Sequence, residues 1–167
     1  MRRLISCSIG DKLQFIWEKK TDAGIEKMSL TCSEPPAPEL IDKYNSLILI
    51  IASLLNLPGT VQDMKKRKGG CTILKVSYQY EEMSDGQMLR DVKLKAAMYM
   101  ALSAEKATIL TPWIKDTSKH AGYLPEGSLV RMLDDLEQEC WNYIDGNRAQ
   151  TRLEFKEAEA IKEEAEE

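Results

Sequence analysis

The stretch Thr31-Cys32-Ser33-Glu34-Pro35-Pro36-Ala37-Pro38-Glu39-Leu40 is where the periodicity of this sequence changes. Upstream of it, apolar side chains alternate as they do in half-buried strands. Leu13, Phe15 and Trp17 share a face opposite Gln14, Ile16 and Glu18. Residues 3–9 place Ile5, Cys7 and Ile9 on one side, and residues 25–32 do the same with Met28, Leu30 and Cys32. Gly10-Asp11 and Thr21-Asp22-Ala23-Gly24 supply turn chemistry between these runs, which predicts an antiparallel meander. Pro35, Pro36 and Pro38 donate no ladder hydrogen bond and stop the sheet. Downstream, Leu40, Tyr44, Leu47, Ile48, Ile51, Leu54 and Leu55 recur at helical spacing, and Leu49 and Ile50 widen the stripe. The pattern predicts one largely covered helix from Glu39 to Leu57, closed by Pro58-Gly59.

The second half follows the same plan. Thr72, Leu74, Val76, Tyr78 and Tyr80 share a strand face, Met83-Ser84-Asp85-Gly86 turns, and Val92, Leu94, Ala96 and Met98 share the next. Residues 107–111 read as a short strand ended by Pro112, followed by a polar loop holding His120. A second helix carries Leu129, Leu133, Leu136, Cys140 and Tyr143 or Ile144 on one side, and Asp145-Gly146 ends it. The expected fold is α+β: an antiparallel sheet from two βββα units, residues 1–58 and 71–146, joined by a basic linker at 59–70. Both helices pack on one face of it within a single domain, 1–146. Residues 147–167 form a charged tail; Glu157–Glu167 holds six glutamates and Lys162. It reads as a helix-prone extension or a disordered tail.

Composition narrows the function. A chain of 167 residues that is 43% hydrophobic and 30% charged builds a core without staples. The longest apolar run, Ser46 to Leu57, is interrupted by Ser53 and Asn56 and too short to cross a bilayer, so no membrane association is expected. The net charge of −4 excludes bulk attraction to nucleic acid. Cys7, Cys32, Cys71 and Cys140 lack paired zinc spacing and read as reduced thiols of a cytoplasmic protein. Gly69-Gly70-Cys71 has neither P-loop nor dinucleotide-binding spacing. His120 reads as an exposed loop histidine, and the carboxylates at Glu81-Glu82, Asp134-Asp135, Glu137 and Glu139 read as solvated faces. The expectation is therefore a protein without catalytic residues, metal or cofactor: not an enzyme.

Three features speak to partners. Lys65, Lys66, Arg67 and Lys68 form a basic run able to contact phosphates, although a solvated loop tip explains it as well. Tyr78, Tyr80 and Trp17, with Lys12, Lys75, Lys93 and Lys95 nearby, could stack bases on an open sheet, but the Leu74–Val76–Tyr78 stripe favours core packing. In the tail, Gln150, Leu153 and Phe155 follow the pattern Gln-x-x-Leu-x-Phe. That pattern is similar to the short peptide by which bacterial and phage proteins dock on the replicative sliding clamp. In such a peptide the leucine and aromatic enter an apolar cleft while the glutamine amide hydrogen-bonds at its edge.

The stretch from Thr31 to Leu40, Leu110-Thr111-Pro112, and Tyr143-Ile144-Asp145-Gly146-Asn147-Arg148-Ala149-Gln150 together resemble a group of small proteins of tailed bacteriophages and prophages. The resemblance implies a product made in the bacterial host cytoplasm and encoded among DNA-metabolism genes. It carries over no catalytic residue. The leading expectation is a non-enzymatic protein that binds a bacterial or phage component of replication or recombination, with the sliding clamp as the partner. The alternatives are a single-stranded nucleic-acid-binding accessory and an inhibitor of a bacterial defence system.

Overall fold

The computed structural model of the protein describes residues 1–55, 70–86, 88–100, 105–115 and 128–146. The described elements are β1 (Arg2–Ile9), β2 (Leu13–Thr21), β3 (Gly24–Cys32), α1 (Pro38–Ser46), α2 (Ile48–Leu54), β4 (Cys71–Glu82), β5 (Met88–Met100), β6 (Glu105–Leu110), β7 (Ile114–Lys115) and α3 (Ser128–Ile144). The fold is α+β. A seven-stranded sheet runs in the order β3-β2-β1-β4-β5-β6, with β7 also paired to β5, and every pairing is antiparallel. The turns lie where Gly10-Asp11, Asp22-Ala23 and Met83–Gly86 predict them.

Two meanders meet at a narrow seam. β1 and β4 pair only through Ser6↔Ser77, Cys7↔Val76 and Ser8↔Lys75. A register shift flanks the seam on each strand, between Leu4 and Ser6 in β1 and between Ile73 and Lys75 in β4. Each is a bulge, with one extra residue on one strand. Because side chains alternate with period two, a bulge reverses which residues face inward. Leu4 is buried, then Cys7; Cys71 and Ile73 are buried, then Val76 and Tyr78. This corrects two faces expected from alternation alone. Ile5 and Leu74 occupy the bulges instead of the core stripe, and Thr72 is exposed. Beyond the seam, the Tyr80 hydroxyl donates to the Leu4 carbonyl at 3.1 Å and ties the meanders together again.

The expected single helix is two. Pro38 suits the first turn of α1, where its missing N–H has no partner to lose. At the other end the Ser46 hydroxyl donates to the Lys43 carbonyl at 2.6 Å, and the Leu47 N–H bonds Tyr44 in an i→i−3 step. Such serine back-bonding bends helices. α2 consequently turns inward, and Leu47, Ile48, Ile50, Ile51 and Ala52 are all fully buried. Leu54 and Leu55, expected in the stripe, are about two-fifths exposed.

One hydrophobic cluster joins the helices to the inward side chains of the sheet. The row Leu94–Val76–Cys7–Phe15–Leu30 crosses five strands on that side. α3 presents Leu129, Leu133, Leu136 and Cys140, as its periodicity predicts. The Phe15 and Tyr143 rings lie 5.4 Å apart, and the Tyr143 hydroxyl accepts the Ala37 N–H at 2.6 Å. At the heart of the cluster, burial raises the Cys140 thiol, helped by a hydrogen bond with Cys7. Burial likewise pushes the Tyr44 and Tyr78 phenols well up.

Candidate binding face of the sheet

The other side of the sheet carries the second set of alternating residues, and the register fixes who meets whom. Leu110, Lys95, Lys75, Ser8, Gln14 and Thr31 form one cross-strand row. Next to it run Lys93, Ser77, Ser6, Ile16 and Ser29. Lys75 and Lys95 are thus directly opposite each other, with Lys93 two residues along β5 on the same side. Lys106 on β6 stands opposite Tyr99, and Lys115 on β7 opposite Asp91. Among the described residues none of these five lysines makes an ion pair.

A local device places a tryptophan beside them. β6 ends at Leu110, and Pro112 has no N–H to continue a ladder. Thr111 stands in: its N–H bonds the Leu94 carbonyl at 3.0 Å and its hydroxyl accepts the Leu94 N–H at 2.9 Å. The chain then rejoins β5 at Ile114, whose side chain faces inward. Trp113 is left on the outward side, 43% exposed, with the Lys93 ammonium 5.7 Å from its ring centre. The signal for this was the dipeptide Pro112-Trp113 at a strand end.

The aromatic residues weighed from the sequence lie elsewhere. Trp17 and Tyr78 are buried on the helix side, and the hydroxyl of half-buried Tyr80 bonds β1, so these residues serve the core. The acidic groups of α3 also have structural partners. Arg90 reaches Asp134 at 2.7 Å and Glu137 at 3.0 Å, Lys43 reaches Asp135 at 2.8 Å, and Glu139 is buried beside Asn142. Arg2 grips Asp145 at 2.5 Å and lies over the Trp141 ring, and that hydrogen bond holds the Asp145 carboxyl below its usual range. Acidic residues thus cluster on α3, while Lys75, Lys93, Lys95, Lys106 and Lys115 share the outward side of β4, β5, β6 and β7 with Asp91.

Gln150, Leu153 and Phe155, the basic run Lys65, Lys66, Arg67 and Lys68, and His120 lie outside the described residues. Among the described residues no group of three or more His, Cys, Asp or Glu side chains is placed to hold a metal ion. No helix among them is long and apolar enough to cross a membrane. No family model, curated protein or solved structure matches the chain.

Proposed function

We propose that the chain is a non-enzymatic interaction protein of phage DNA metabolism, working in the bacterial host cytoplasm and docking on a sliding clamp through Gln150, Leu153 and Phe155. The observation that carries this reading is the order of those three residues in the sequence that follows α3, which ends at Ile144. Gly146, with φ of 79°, closes that helix, and Arg2 anchors Asp145 beside it. The element order supports reading the domain as two βββα units with the helices on one side, which leaves the opposite side of the sheet for contacts.

The test is affinity capture from bacterial lysate with the intact protein and with a Leu153→Ala, Phe155→Ala variant. The clamp is expected with the first and absent with the second. A second reading, a single-stranded nucleic-acid-binding accessory, is favoured by the lysines around Trp113.

A further inference from the structure

We infer that the outward side of β4, β5, β6 and β7 is a binding site for single-stranded nucleic acid, with Lys75, Lys93 and Lys95 contacting phosphates and Trp113 stacking a base. This gives the second reading a site different from the Lys65–Lys68 run, and it is independent of the tail.

The like-charge pair Lys75 and Lys95 points to an anion. Directly opposed like charges destabilise a sheet. The register sets Lys75 against Lys95, with Lys93 as a third ammonium on the same side and no carboxylate paired to any of them among the described residues. An arrangement that opposes folding and is left uncompensated is explained by an anion that binds there. Lys75, Lys93, Lys95, Lys106 and Lys115 share this side with Asp91 in a chain whose net charge is −4, so the patch is basic where the chain as a whole is acidic. A local potential of that kind recruits a polyanion that the net charge would repel.

The aromatic ring of Trp113 points to unstacked bases. Trp113 stands beside Lys93 with nearly half its surface in water. An exposed indole within a lysine cluster matches a strand whose phosphates and unstacked bases alternate along its length. A duplex offers the phosphates but keeps its base faces stacked, and an acidic peptide offers charge without bases. Ring and lysines together therefore select single-stranded nucleic acid. Ser77, Ser8, Gln14 and Thr31 extend the surface across the seam with hydrogen-bonding side chains.

The experiment uses the full chain and a fluorescein-labelled oligo-dT, read by anisotropy across a salt series, with intrinsic tryptophan emission followed in parallel. Binding is expected to weaken with salt, and Lys75→Gln with Lys95→Gln to reduce the slope of log K against log salt by about 1.4, two phosphate contacts' worth. Trp113→Ala is expected to weaken binding roughly tenfold. Trp113→Phe is expected to retain most of the affinity while abolishing the emission quench, since Trp17 and Trp141 lie on the helix side. Four outcomes overturn the site: no binding by the intact protein, affinity unchanged in the sheet variants, a quench that survives Trp113→Phe, or equal binding of poly-glutamate. Loss of binding only when Lys65, Lys66, Arg67 and Lys68 are changed to glutamine would overturn this site and keep the second reading. Oligo-dT binding unchanged in the Leu153→Ala, Phe155→Ala variant separates the site from the docking tail.

Discussion

Lys75 and Lys95 face each other directly across β4 and β5, on the side of the sheet opposite the core. The bulge at Leu74 sets the register that brings them together. Cross-strand like charges oppose folding, so reversing one of them stabilises the fold. Lys95→Glu is expected to raise stability by about 0.2–1 kcal/mol, the range for favourable cross-strand pairs. Urea denaturation with an unchanged m-value reads this directly. Combining it with Lys75→Glu restores a like-charge pair and cancels the gain. A loss of stability in Lys95→Glu alone would show that the pair is not in repulsion.

The break between α1 and α2 buries residues on either side of it. Leu47 and Ile51 are both fully buried, and alanine at either is expected to cost about 2–5 kcal/mol through lost contacts and the cavity left behind. Leu54→Ala, at a position 42% exposed, is expected to cost well under half as much. Thermal denaturation of the three variants checks the order. Equal losses at all three would contradict the burial described for α2.

Stability is expected to fall in alkali. Burial raises the Cys140 thiol above its ordinary 9.0, and the Tyr44 and Tyr78 phenols above their ordinary 10.0. The unfolded chain releases these protons near the ordinary values, whereas the folded chain retains them. The native state then binds more protons than the unfolded one, so stability declines as pH rises past about 9 through the thiol and past about 10 through the two phenols, approaching about 1.4 kcal/mol per pH unit for each group held neutral. Among the described residues the Tyr78 hydroxyl has no hydrogen-bond partner. Tyr78→Phe is therefore expected to leave stability at pH 7 unchanged or higher, and to flatten the alkaline decline. Urea titrations at pH 7 and pH 10 measure both effects.

The parts of this fold that depend on local pattern were legible in the sequence. The three N-terminal strands, both hairpin turns, the proline stop and the buried stripe of α3 follow from alternation, turn residues and helical spacing. What was not legible depends on partners. Each bulge is a property of two strands in register, and nothing in Leu4-Ile5-Ser6 or Ile73-Leu74-Lys75 marks the extra residue. The bend at Leu47 depends on one serine hydroxyl choosing its own helix carbonyl, which the apolar periodicity hides. β7 is two residues long and too short to show a period. The lysines of the outward face stand apart in the sequence, and only the β4–β5 register opposes Lys75 to Lys95. The place of Trp113 depends on Thr111 substituting for a strand, which no local pattern marks. The proposed docking residues Gln150, Leu153 and Phe155 are read from their order alone.

The central claim is that the tail docks on a sliding clamp, and calorimetric titration of the purified clamp with the intact protein tests it most directly. A short peptide of this kind predicts micromolar affinity, about −8 kcal/mol, resting mainly on Leu153 and Phe155. The Leu153→Ala, Phe155→Ala variant is expected to give no measurable heat of binding while unfolding at the same temperature as the intact protein. Absence of binding by the intact protein, or equal binding by both, would contradict the account.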